Sequence, residues 1–147
     1  RLGSICADLR LLPSEIVPGS FSCCVSNPPY FSGGFASAAH PLARQEQTCT
    51  LRDVFAAASK SLRFGGDFFL VHKPERLGEL CALGAEFDLI PKVLRLVRHT
   101  SGGSVSLLLL QMRKGAKQGL IFQEEALRDP EGHPTADYRR IYHLDEP

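Results

Sequence analysis

A chain of 147 residues, 44% of them apolar, is one domain with material for a buried core. Seventeen Lys and Arg against sixteen Asp and Glu leave a formal charge of +1, so no global field demands a nucleic acid or a membrane. No apolar run nears the roughly 18 residues of a membrane span, no signal-peptide pattern opens the chain, and five cysteines without a Cys-x-x-Cys pair read as reduced thiols. A soluble, cytoplasmic protein is expected. The five histidines lack ligand spacing, so no metal site is expected either.

In chain order, the pattern predicts a short strand over Ser4 to Ala7 that ends in Asp8, then a connection punctuated by Pro13 and Pro18. Phe21 to Ser26 is a continuous apolar run of the buried-strand type, and residues 31 to 48 form a long loop rich in Gly, Ala and Ser. From Thr50 to Leu62, helical spacing sets Leu51, Val54, Phe55, Ala58 and Leu62 on one face, with Thr50 or Thr48 as N-cap and Gly65-Gly66 as terminator. Asp67 to His72 reads as a second buried strand. A helix follows with Pro74 in its first turn and Leu77, Leu80, Cys81 and Leu83 inward. Ile90 to Arg98 and Ser104 to Met112 read as strands joined through Gly102-Gly103 and paired antiparallel. A turn at Asp129-Pro130-Glu131-Gly132 and a helix from Thr135 to Tyr142 close the chain. Alternation of strands and helices predicts an α/β fold with a mainly parallel sheet and a terminal antiparallel pair. Residues 1–118 form its main part, and residues 119–147 are a turn and short helix packed on the same domain.

The stretch with chemistry in it is Ser26-Asn27-Pro28-Pro29-Tyr30-Phe31. Asn-Pro and Pro-Pro are ordinary turn punctuation, but here they follow a buried-type strand, where open α/β sheets place their ligands. An amino nitrogen on a base, or an amide nitrogen, has a delocalised lone pair and is a poor nucleophile until its hydrogens are drawn out of plane. Asn27 offers a side-chain carbonyl as acceptor, and Pro28 a main-chain carbonyl that the following proline holds out of helical geometry. Tyr30 offers a flat face for stacking. These residues suit methylation of an amino group by orientation, with no general base required. Charge is local: from Lys92 to Lys117 every charged residue is basic, whereas Glu124 to Glu131 is mostly acidic.

The chain resembles the carboxyl-terminal two thirds of class I S-adenosylmethionine-dependent methyltransferases. More narrowly it resembles the bacterial tRNA1(Val) adenine-N6 methyltransferases. Beside the first motif, the likeness rests on Ala43-Arg44-Gln45-Glu46, Thr48-Cys49-Thr50-Leu51, Gly65-Gly66 and Phe69 through Leu77, and it extends to Tyr138 and Tyr142. It implies a Rossmann-like sheet with its amino-terminal strands missing, S-adenosylmethionine as cofactor, tRNA as partner, and N6-methylation of adenine. Asp8, with Leu9, would meet the adenine of the cofactor, and Asn27 would adjoin it. Asn27 and Pro28 would accept from the target amine, Pro29 would fix the turn, and Tyr30 would stack on an extruded base. Phe31, Arg44, Lys73, Arg76, Arg95 and Arg98 would touch RNA. Two departures stand out: Gln45 replaces a histidine of the family pattern, and the family's glycine-rich cofactor loop has no counterpart. The resemblance therefore implies a fragment of a longer enzyme, or sheet edges covered by another chain, including self-association. Glutamine methylation in a protein, and a non-catalytic RNA-binding module, are the competing functions.

Overall fold

Thr50 starts the first helix by a reciprocal cap. Its hydroxyl accepts from the Asp53 N–H at 3.3 Å, and the Asp53 carboxylate accepts from the Thr50 N–H at 2.8 Å. The computed structural model describes residues 3–28 and 49–144. Within them the elements are β1 (Phe21–Ser26), α1 (Leu51–Ser61), β2 (Leu62–His72), α2 (Leu77–Glu86), β3 (Leu89–Thr100), β4 (Val105–Lys114), β5 (Ile121–Arg128) and α3 (Ala136–Ile141). A single 3-10 turn, Pro74–Arg76, leads into α2.

The strands form one sheet in the order β1-β2-β4-β3-β5. β1 runs parallel to β2, β3 parallel to β5, and β4 lies antiparallel to both β2 and β3. Four strands therefore share one direction, which is the mainly parallel α/β sheet expected, with the antiparallel strand inserted between two parallel neighbours. One face packs on α1 and α2 through Phe68, Leu70, Leu94, Leu108, Leu110 and Met112. Phe55 of α1 meets Phe68 edge-on, centroids 5.4 Å apart and planes at 85°. The other face stays partly open, with Phe69 at 38% exposure.

Three sequence expectations change. Ser4 to Ala7 is exposed, non-helical chain with no strand pairing, because a strand exists only through a neighbour and none of the described strands lies beside it. Gly65-Gly66 does not end α1, which stops at Ser61 and passes straight into β2. The glycines belong to a bulge: β1 spends two steps from Phe21 to Cys23 where β2 spends five from Leu62 to Asp67, and Gly65 takes φ +75°. The helix end is closed instead by Lys114, whose ammonium donates to the Ser59 and Leu62 carbonyls. Finally, β5 had no signal in the sequence, since Gln123-Glu124-Glu125 hides the alternation of an exposed edge strand.

Gly84, on the buried side of α2, marks a close approach. A Cβ there would lie 2.6 Å from the Leu89 carbonyl oxygen and 3.0 Å from Met112 Cε. Alanine gains roughly 0.5–1 kcal/mol of helix propensity over glycine, but overpacking against backbone costs about 1–3 kcal/mol. Gly84→Ala is therefore expected to lower the thermal midpoint, by roughly 2–4 °C for each kcal/mol lost; an unchanged or raised midpoint would contradict this packing.

Candidate active site

Because β1 and β2 are parallel and Ser26 pairs with Leu70, continuing that register brings Asn27 and Pro28 level with Val71 and His72 at the carboxyl edge of the sheet. Asn27 is exposed and Pro28 buried, directly beyond the end of β1. Pro29, Tyr30, Phe31 and Arg44, also singled out in the sequence, lie outside the described residues. His72 is fully buried, and its Nδ1 accepts from the Lys73 N–H at 2.8 Å, which places the ring proton on Nε2.

Asp8 is held by Arg10. The Arg10 N–H and Nε–H both donate to Oδ1 at 3.0 Å, and Nη2 reaches Oδ2 at 2.5 Å. Those hydrogen bonds hold the Asp8 carboxyl down at about 2, so it is an anion with acceptor sites to spare at neutral pH. Arg10 carried no signal of its own in the sequence. Only the two-residue spacing behind an aspartate hints at it. Leu9, next to Asp8, and Ser26, next to Asn27, line the same hollow of about 250 Å³ between the 9–16 segment, β1 and α1. Its other walls include Leu12, Ile16, Val54 and Phe68, so it is an apolar slot. Pockets that bury a drug-sized ligand whole span roughly 300–1,000 Å³, so this slot suits one moiety of a larger ligand, such as a planar ring. Cys24 also lines it, and burial pushes its thiol up, which keeps it protonated and unsuited to nucleophilic attack.

The cations separate into two groups. Lys73 and Arg76 follow β2 and sit at the same sheet edge as Asn27; Lys73 Nζ donates to the Ser106 carbonyl at 3.3 Å, and Arg76 grips Glu79 at 2.6 Å. Arg95 and Arg98 stand on β3, three strands from β1, or roughly 14 Å at the usual strand spacing. Arg95 is tied to Gln123 at 2.7 Å and Glu125 at 2.9 Å; Arg98 donates to the Gly103 carbonyl and meets Glu124 at 3.4 Å. The structure thus sets Leu9 and Ser26 around one hollow, places Lys73 and Arg76 at the sheet edge that Asn27 also reaches, and leaves Arg95 and Arg98 apart. A second hollow of about 250 Å³ opens on the opposite face, with Val25, Phe69, Val71, Leu109, Arg95 and Gln111 in its walls. Among the described residues no cluster of three or more His, Cys, Asp or Glu is placed to hold a metal. None of their helices is long and apolar enough to cross a membrane.

No protein-family model matches the chain. Over 97 residues it is 31% identical to the tRNA1(Val) (adenine(37)-N6)-methyltransferase of Aeromonas hydrophila subsp. hydrophila; the match covers 65% of this chain and 41% of that protein. The chain thus spans about two fifths of the length of this curated relative. A crystal structure of a predicted O-methyltransferase from Agrobacterium tumefaciens shares the fold, with a TM-score of 0.71 at 18% identity over 93% of this chain and 60% of the other.

The Asp8–Arg10 pair makes a pH-dependent prediction. A depressed folded value means that the pair contributes stability above the ordinary carboxylate range of about 3.9 and loses it as pH falls toward the folded value. In Arg10→Met the Asp8 carboxyl is expected to return toward about 3.9, read by carboxyl-carbon NMR titration. An unmoved midpoint would show that Arg10 is not what holds it.

Proposed function

We propose, from the premise that this chain is related to the class I methyltransferases, that it carries the amino-orienting residues of an S-adenosylmethionine-dependent enzyme methylating an adenine N6 in tRNA. The observation behind this reading is that Asn27 and Pro28 directly follow Ser26, which together with Leu9 lines an apolar slot. S-adenosylmethionine, when bound, supplies an electrophilic methyl group on a sulfonium. Asp8 suits the adenine amino group of that cofactor as an ionised acceptor, and Leu9 offers its ring an apolar wall. Asn27 takes part here as well, at the border between cofactor and target.

Asn27 Oδ1 and the Pro28 carbonyl accept the two hydrogens of the target amine and turn its lone pair toward the methyl group. With the methyl group supplied by bound S-adenosylmethionine, the two acceptors would hold the amine in place during transfer, and its extra proton would pass from the amine to water. Pro29 would rigidify the Pro28 carbonyl, Tyr30 would stack on the extruded base, and Phe31 would contact the RNA. Lys73 and Arg76, at the same sheet edge as Asn27, serve as cations for phosphates, with Arg44, Arg95 and Arg98 as further contacts. A cytoplasmic location follows from a tRNA substrate. The same pair of acceptors would serve a glutamine amide, so the nature of the methyl acceptor is what the assay must read.

The protein is incubated with tritiated S-adenosylmethionine and unmodified tRNA, and the nucleosides are separated. Label in N6-methyladenosine is expected. Asn27→Ala should reduce transfer by about 10²–10³, the usual loss for one preorganised hydrogen-bonding group, with the thermal midpoint unchanged. Full activity in that variant, or label confined to protein glutamine, would overturn the reading.

A further inference from the structure

Helix α3 is ordered without being buried. Its six residues, Ala136–Ile141, include none that is buried, and isolated helices that short do not persist in water. It is instead pinned to the end of β5 by polar contacts. Thr135 caps it, accepting from the Tyr138 N–H at 3.2 Å, while its hydroxyl donates to the Ala126 carbonyl at 2.7 Å and its N–H to the Leu127 carbonyl at 3.1 Å. Arg128 Nη1 holds the turn at the Gly132 carbonyl, 2.7 Å away, and the Arg128 guanidinium lies over the Tyr138 ring at 5.9 Å. Tyr138 stacks on Tyr142 with centroids 4.5 Å apart and a tilt of 32°.

What this scaffold displays is a ladder of aromatic rings and cations. Tyr142 is 58% exposed, and Arg139 and Arg140 are both on the surface. The helix's single carboxylate, Asp137, is bound to Arg140 at 3.0 Å. Because β1, β2, β3 and β5 share one direction, this element projects from the same edge of the sheet as Asn27 and Pro28. Four strand spacings separate β5 from β1, roughly 19 Å, or about six steps of a stacked strand at 3.4 Å each.

We infer that α3 and Arg128 form a second RNA contact: Tyr142 offers a stacking face to an unpaired base and Arg139 and Arg140 engage the phosphates beside it. Exposed aromatic rings interleaved with cations are what single-stranded nucleic acid recognises, through base stacking and phosphate attraction. This rests on the RNA reading of the active site and adds a contact that holds the substrate about six nucleotides from the methylated base or on a neighbouring loop.

The test is binding of fluorescein-labelled unmodified tRNA, by anisotropy, at salt from 50 to 200 mM. Tyr142→Ala should weaken binding about tenfold and leave the salt slope unchanged, while Tyr142→Phe keeps the affinity. The pair Arg139→Ala with Arg140→Ala should reduce the slope of log K against log salt by about 2. Circular dichroism and thermal midpoints check that each variant is folded. If the wild-type protein binds tRNA and both variants bind it equally at every salt, this inference fails and the RNA reading of the active site stands. If the wild-type protein binds no RNA, that reading fails first and takes this one with it. If Tyr142→Ala abolishes self-association in sedimentation while RNA binding is untouched, the surface is one for a second copy of the chain, and the inference is overturned.

Discussion

The parallel pairing of β1 on β2 is the constraint on which the rest depends. It fixes where the chain leaves the sheet, and so where Asn27 and Pro28 stand relative to the slot behind them. Among the described residues β1 has one neighbour, yet its composition is that of an inner strand: Phe21-Ser22-Cys23-Cys24-Val25-Ser26 contains no charge and no proline. Edge strands usually carry such guards against further pairing. β5, the opposite edge, has them in Gln123, Glu124, Glu125 and Arg128. Val25, 78% exposed, and Phe69 beside it make the β1 side the apolar flank of the molecule.

Polar contacts finish what the apolar core begins. Lys114 closes α1 across the sheet, Arg52 pairs with Glu86 to tie α1 to α2, and Asp67 takes Arg113 at 2.9 Å beside Gln111 at 3.1 Å. The Arg113 hydrogen bond, helped by that from Gln111, holds the Asp67 carboxyl below its usual range, so this cross-strand pair contributes stability above that range and loses it in acid. Many of the basic residues that stand out in the sequence are spent this way. A run of like charge therefore overstates the free positive surface, and position at the carboxyl edge discriminates better than sign.

Much of this was readable before any coordinates. Helical spacing behind Thr50 and the apolar runs at 21–26 and 67–72 gave α1, β1 and β2 because each signal is local and strong. Gly102-Gly103 marked the β3–β4 turn, where Gly102 takes φ +75°. What escaped depends on partners distant in sequence. Ser4 to Ala7 has strand-like residues with nothing described to pair with, β5 is charged because it is an edge, and α1 is closed by a lysine 52 residues after Leu62. At the site, Asn27 and Pro28 stand out in the sequence by residue type. The slot and the distance of Arg95 and Arg98 from β1 arise only when strands are set side by side, whereas the Arg10 grip on Asp8 is a local contact two residues apart whose sequence signal is weak.

Under the proposed function, two acceptors from adjacent residues turn an amino group toward the methyl donor. A crystal structure of the protein with S-adenosylhomocysteine and an adenine-containing oligonucleotide tests it most directly. The adenine N6 is expected within hydrogen-bond range of both Asn27 Oδ1 and the Pro28 carbonyl oxygen, roughly 2.7–3.2 Å from each. An adenine seated elsewhere, or an N6 held by one acceptor and turned from the sulfur, would contradict it.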